Sequence, residues 1–274
     1  MAQEIKCDTH GSGKKAYVCH HLLEGAVGLG FNRQEPSTDN PFPDAWCDDC
    51  ELIRAAHGGW NKESQKLTKI SLLCSECYEL ARIRNTRTEV TLDDLAGLRW
   101  KCSSCDEWHR GPILDVAYDS PHYWQNEYAK VSPPDSSFKT FLNEDYCQIG
   151  DDHFVRGLIR LPIVGTDQYF CWGVWGSLSH KNFQLLMNQD GDPKRVELPA
   201  MFSWLSSRIS EYPDTLSLKM SARILKPNGR PDFELEPCDH LLYREYHEGI
   251  RPERVREITL KQLDASEGQR ISSC

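Results

Sequence analysis

The chain has 274 residues and carries 32 Lys and Arg against 41 Asp and Glu, a formal charge of -9. That balance argues against a general nucleic-acid binder, which must neutralise phosphates, and against docking on an anionic membrane surface. With 39% hydrophobic residues the chain is too apolar for disorder, yet no stretch approaches a membrane span and the start, MAQEIKCDTH, lacks an apolar signal core, so a cytoplasmic location is expected.

Cysteine is the strongest compositional signal: twelve occur, six of them between Cys7 and Cys77. Without an export signal, paired Cys and His at short spacing point to zinc rather than disulfides. Four such pairs occupy the first region: Cys7-x-x-His10, Cys19-x-His21, Cys47-x-x-Cys50 and Cys74-x-x-Cys77. A tight turn of this kind aims two donors at one metal, and two turns complete a tetrahedron, so four pairs suit two zinc ions. His20 also neighbours Cys19, but adjacent ligands strain one centre, which favours His21. Spacing does not fix which pairs share an ion. A sequential arrangement gives Cys7/His10/Cys19/His21 and Cys47/Cys50/Cys74/Cys77, the second resembling a zinc ribbon. A cross-braced one joins the first pair to the third and the second to the fourth. The sequential arrangement is the weakly preferred expectation. Complete shells rich in thiolate leave no open position, so structural zinc is expected rather than catalytic zinc. The many turn formers of residues 1–84 suggest a module that needs a staple other than a core. Gly25–Gly30 reads as a mobile loop, since the order of a nucleotide fingerprint is missing.

Residues 85–98 read as a linker with a short helix near Leu92–Leu98. The cluster Arg82, Arg84 and Arg87 is the one basic feature of the region, and a solvated helix face explains it more cheaply than a phosphate site. Next comes a knuckle, Cys102 and Cys105 in WKCSSCDEWH. His109 and Cys147 are the best available completions of a third zinc shell.

Beyond the knuckle, Val155, Gly157, Ile159, Leu161 and Ile163 alternate with other residues and predict a strand. Tyr169–Leu178 predicts a second strand, joined to it through Gly165–Gln168 as a hairpin. Ser179 is a helix N-cap candidate. Met201–Ile209 reads as a helix, Leu216–Leu225 and Phe233–Leu235 as strands, and residues 252–264 as an amphipathic helix with Pro252 in its first turn. The irregular order predicts an α+β fold: a zinc-stapled module at 1–88, a mixed domain with an antiparallel sheet at 99–262, and a frayed tail at 263–274.

From Trp100 to about Ile258 the sequence resembles a bacterial family, domain of unknown function 2199. The likeness is carried by Trp100–His109 (WKCSSCDEWH), Asp145–Ile149 (DYCQI), His153–Pro162 (HFVRGLIRLP), Phe170–Ser179 (FCWGVWGSLS), Tyr212–Leu216 (YPDTL) and Phe233–His240 (FELEPCDH). The chain departs from the family at Asp106, where Gly is usual, and at Cys238, where Thr is expected. The opening Cys7–Gly11, with Cys19 further on, is similar to the start of a B-box, a cross-braced family, but the closing His-x-x-His is missing. The first region also resembles a small bacterial cysteine-rich module, through Cys7–Gly11, Val18–Leu22, Pro43–Cys50 and Leu72–Tyr78, and this favours His21 over His20. Neither likeness implies an activity. The leading expectation is a zinc-stabilised protein that binds another macromolecule, a protein rather than nucleic acid, without catalysis. One alternative is an enzyme with a pocket around Trp172, Trp175, Arg156, His153 and His240, although these aromatics read more readily as core. The other is nucleic-acid binding through Arg82, Arg84 and Arg87.

Overall fold

Strand β2 (Gly11–Cys19) organises the N-terminal part of the chain. The computed structural model describes residues 4–23, 27–86, 90–102, 105–125 and 140–265. Strand β1 (Glu4–Cys7) pairs antiparallel with the first half of β2. Short strands β3 (Asn32–Arg33) and β4 (Ala45–Trp46) attach to it through a parallel pairing of Ala45 with Val18. Helix α1 (Asp48–Ala56) and helix α2 (Lys62–Lys66) follow, the latter opened by Asn61, whose side chain accepts from the Ser64 backbone N–H at 3.1 Å. Strand β5 (Ile70–Cys74) then pairs antiparallel with the second half of β2, and helix α3 (Ser75–Asn85) starts directly behind it.

This part does have a core. Ala16, Val18, Leu22, Ala45, Leu73, Tyr78 and Ala81 are buried together with Cys7, Cys19, Cys47, Cys50, Cys74 and Cys77, and Phe31, Phe42, Trp46 and Trp60 pack around them. The expectation of a staple without a core is therefore corrected: the thiols sit inside the apolar cluster. The glycine-rich loop also differs from expectation over its described part, 27–30. Gly28 N–H donates to Arg84 O at 2.9 Å and Gly30 N–H to Asn85 O at 3.0 Å, which pins the loop to the end of α3. A single 3₁₀ turn, Asp93–Leu95, replaces the helix read near 92–98, and a two-stranded ribbon of β6 (Arg99–Lys101) and β7 (Trp108–Arg110) follows.

The chain divides into two units, one of residues 1–113 with 252–274, the other of 114–251. These bounds differ from the sequence-based division. The second unit is built on the predicted hairpin. Strand β11 (Asp152–Pro162) pairs along its whole length with β12 (Tyr169–Leu178), from His153 opposite Leu178 to Pro162 opposite Tyr169. The other edge of β12 takes β8 (Asp115–Ala117) at one end and β13 (Met201–Leu205) at the other. The other edge of β11 takes β10 (Tyr146–Ile149), with β9 (Thr140–Leu142) beyond. Strand β14 (Lys219–Arg223) joins β13 to β15 (Asp232–Leu235), and β15 meets β11 where Asp232 lies opposite Leu158. Five strands, β12, β13, β14, β15 and β11, thus close into a ring, from which β8 and the pair β10 and β9 branch.

The ring is narrow, and its glycines are the reason it can be. A Cβ at Gly176 would lie 2.4 Å from Ser203 Oγ and 2.7 Å from Phe233 Cζ, and one at Gly157 would lie 2.5 Å from the Phe233 ring. Phe233 and Met220, both buried, fill the space these glycines leave. Helix α4 (His180–Asn188) begins behind Ser179, whose hydroxyl accepts from Asn182 N–H at 3.3 Å as a cap, and α5 (Leu241–Glu248) is capped by His240.

One element type was misread. Met201–Ile209, expected as a helix, is strand β13 and a following loop. Its burial alternates, with Met201, Ser203 and Leu205 inside and Phe202 and Trp204 exposed. Two exposed aromatics in a strand imitate the fuller apolar face of a helix. The last helix, α6 (Pro252–Ala265), belongs to the first unit. Its Arg256 donates to Thr86 O at 2.9 Å and its Thr259 hydroxyl accepts from Ile113 N–H at 3.1 Å. The architecture is α+β.

Candidate metal centres

Two buried four-donor clusters form within the first unit. The first collects Cys7, His10, Cys74 and Cys77. Cys7 ends β1, and Gly11, with φ of +76°, turns the chain back into β2 and brings His10 beside the thiol. Cys74 ends β5 and Cys77 lies in the first turn of α3, where Cys74 Sγ accepts from Cys77 N–H at 3.5 Å. His10 Nδ1 stands 3.8 Å from Cys7 Sγ, 3.6 Å from Cys74 Sγ and 3.4 Å from Cys77 Sγ, and the Cys7 and Cys77 sulfurs are 3.9 Å apart. A tetrahedral zinc, with thiolates at about 2.3 Å and imidazole at about 2.0 Å, spaces its donors about 3.5–3.8 Å apart. The observed edges match. They are far longer than the ~2 Å of a disulfide, and no disulfide joins these cysteines.

The second cluster collects Cys19, His21, Cys47 and Cys50. Cys19 ends β2, Cys47 directly precedes α1 and Cys50 lies in its first turn. His21 Nδ1 is 3.3 Å from Cys50 Sγ and 3.6 Å from Cys47 Sγ, while Cys19 Sγ accepts from Cys47 N–H at 3.3 Å. His20 points elsewhere, its Nδ1 2.8 Å from the Ser71 hydroxyl. Both clusters place a C-x-x-C at a helix N-terminus, where the unpaired N–H groups favour thiolate.

This grouping is neither of the arrangements weighed from the sequence. The first pair joins the fourth and the second joins the third, one centre nested inside the other along the chain. Strand β2 is the physical reason. Its nine residues extend about 26 Å at ~3.3 Å per residue, so its two ends cannot serve one ion. Antiparallel pairing sets Cys74 opposite Lys15, toward the start of β2 where Cys7 lies opposite Gly11, while Cys19 at the far end faces Ile70.

The protonation chemistry of the clusters calls for a cation. Burial, and then the nearby Cys19 and Cys47, push the Cys50 thiol up to about 12. Cys74 goes the other way, down to about 3, held chiefly by a hydrogen bond from Cys77 and then by His10, against its burial. Burial opposes a charge on His10, yet Cys74 and Cys7 outweigh it and raise its pKa. Three thiols packed with one imidazole cannot all ionise unaided, and a divalent ion would supply the missing positive charge.

A third group differs in kind. Cys102, Cys105 and His109 come together, with Cys105 Sγ 3.1 Å from His109 Nε2. The knuckle turn is closed by Cys102 N–H donating to Glu107 O at 2.8 Å and Asp106 N–H to Cys102 O at 3.0 Å, and Trp100 stacks on the His109 ring at 4.8 Å. Asp106 adopts φ of +58°, the left-handed conformation that glycine takes without strain, which accounts for the Gly usual at this position in the resembled family. Cys147, the expected fourth donor, is not in the group. It lies on β10 in the second unit, fully buried against Phe154 and Trp175. Among the described residues this third group therefore has three protein donors, two of them exposed.

The remaining candidates do not converge. Trp172 and Trp175 are fully buried, their indole N–H groups donating to Tyr212 OH at 3.4 Å and Tyr118 O at 2.8 Å, so they fill the core rather than line a pocket. His240 Nδ1 accepts from Leu242 N–H at 3.1 Å as the α5 cap, and His153 Nε2 lies 3.1 Å from His180 Nδ1. Arg156 lines a separate cleft. The basic cluster is not a solvated face either. Arg84 is buried and pairs with Asp264, and Arg82 pairs with Glu79 at 2.8 Å, while Arg87 lies outside the described residues. Among the described residues no helix is long and apolar enough to cross a membrane.

Residues 101–250 match the family described as "Uncharacterized protein conserved in bacteria (DUF2199)". No curated protein and no solved structure matches the chain. The matched span takes in the knuckle, the long hairpin and the closed ring and exceeds half of the chain: the protein belongs to the bacterial DUF2199 family.

Proposed function

We propose that this chain is a zinc-stabilised interaction protein in which two structural zinc ions hold the first unit together so that it can present a surface to a protein partner. The observation that carries the reading is the pair of buried Cys3His clusters, each with four protein donors and so no position for a reacting ligand. All-N/S donor sets with tetrahedral edges favour zinc over hard cations, which prefer oxygen ligands. The third, three-donor group takes a zinc more weakly and completes its shell from solvent or a partner.

A surface for the partner lies beside the second cluster. There a groove of about 140 Å³ is lined by Tyr17, Trp46, Trp60 and Ile70. Ile70 is 56% exposed and neighbouring Leu67 59%, apolar area that association would remove from water. The paired arginines of α3 and the acidic net charge favour protein over nucleic acid as the partner, and a cytoplasmic setting would keep the thiols reduced.

Elemental analysis of the purified chain combined with affinity capture from the native cell tests this. The expected result is two tightly held zinc ions, with a third partly occupied, and a co-purifying protein that is lost on Ile70→Asp. Absence of bound zinc, or turnover of a small molecule with no protein captured, would overturn it.

A further inference from the structure

A cleft of about 260 Å³ opens in the second unit at the start of β10, where Tyr146 lies opposite Val155 of β11, between the loop after α4 and the turn leading into β15. Three guanidiniums line it: Arg156, Arg195 and Arg230. Arg230 Nε donates to Asp145 at 2.6 Å. Arg195 pairs with Asp190 at 3.0 Å and donates to Tyr146 OH at 2.8 Å. Arg156 is served less well, since its carboxylate partner, Asp119, is fully exposed and 3.8 Å away.

Structural roles account for the Arg230 bridge and the terminal nitrogens of Arg195. They leave the Nε atoms of both Arg156 and Arg195 buried with no hydrogen-bond acceptor, and Arg195 is only 4% exposed. Burial and the neighbouring charge of Arg230 both work against a positive charge on Arg156, so the site gains from an added negative charge. A guanidinium offers a planar fork that matches the paired oxygens of carboxylate or phosphate. We propose that this cleft binds the oxyanion group of a small molecule, carboxylate or phosphate, with Arg156 and Arg195 as its donors and Arg230 at its rim. The argument is independent of the zinc centres.

Calorimetric titration of the full metal-loaded chain with inorganic phosphate and, separately, succinate, at constant ionic strength set by chloride, tests the site. The expected result is saturable one-to-one binding of at least one anion, weakened at least tenfold by Arg156→Gln and severalfold by Arg230→Gln, with metal content unchanged. Preference for phosphate identifies a phosphorylated ligand, and preference for succinate a carboxylate one. If Arg156→Gln does not fold, Arg156→Lys, which keeps the charge and loses the fork, must still weaken binding. No saturable binding of either anion, or affinity untouched by these variants, would overturn the proposal.

Discussion

The two units solve the same problem with different materials. The second unit buries large side chains, Trp172, Trp175, Phe170 and Phe233, and closes five strands into a ring, so apolar area alone can hold it. Around its donor clusters the first unit packs six cysteines and Ala16, Ala45 and Ala81 beside Val18, Leu22, Leu73 and Tyr78, so small side chains take much of that space, while Ile83, Leu95, Leu98, Val255, Ile258 and Leu263 are buried elsewhere in the unit. Apart from β2 its strands are two to five residues long, so a bound ion would add most to the packing around the donor clusters. The contrast teaches that thiols buried at 0–2% exposure are here no substitute for leucines. They are core positions whose donors a bound ion would tie together.

Chelation should separate the two units most sharply. Structural zinc sites contribute ~10–16 kcal/mol in small domains. A strong chelator should therefore abolish amide-exchange protection in β2, β5 and α3 while leaving β11 and β12 protected. Equal protection of both units after metal removal would erase the distinction.

The converse is a core truncation in the ring. Phe233→Ala removes the ring that Gly157 and Gly176 accommodate, at a cost of about 3–5 kcal/mol. Urea unfolding of the second unit should shift accordingly with zinc content unchanged. Loss of zinc in this variant would mean that the two units do not unfold independently.

A smaller effect follows from His153. Its burial, and then the neighbouring His180, hold its pKa below the ordinary 6.5, with Asp151 and Asp152 only partly offsetting them. The unfolded chain then binds the proton more tightly, so stability is full above about pH 6.5 and falls as the pH drops from there toward the folded-state value. Tryptophan-monitored urea unfolding at pH 7.5 and 5.5 should show this loss, and His153→Phe, packed against Phe183, should lessen it. An identical loss in the variant would place the acid sensitivity elsewhere.

Smallest is the knuckle. Asp106→Gly relieves a left-handed residue worth ~1–2 kcal/mol and gives up only the exposed Lys101 pair. Cobalt(II) titration should show severalfold tighter binding at the third centre, and weaker binding would contradict the strain argument.

What the sequence revealed follows the range of each interaction. The donor pairs are legible because a C-x-x-C or C-x-x-H turn is complete within four residues. Their partnering is not, because it depends on Cys74 coming to lie opposite Lys15, a strand pairing made across about sixty residues of chain. The hairpin of β11 and β12 was readable from alternation and the Gly165 turn. Strand β13 was not, since Phe202 and Trp204 are exposed against the ordinary rule. Arg195 gave no local signal at all: it reaches the Arg156 cleft only through the loop that follows α4.

Metal counting on Cys7→Ser, Cys74→Ser and the double variant tests the nested centres most directly. Both cysteines belong to one donor cluster in the structure, so the double variant should lose the same single zinc as either alone, with the second ion retained at Cys19, His21, Cys47 and Cys50. Loss of two ions in the double variant, one for each substitution, would contradict the account and restore a sequential or cross-braced arrangement.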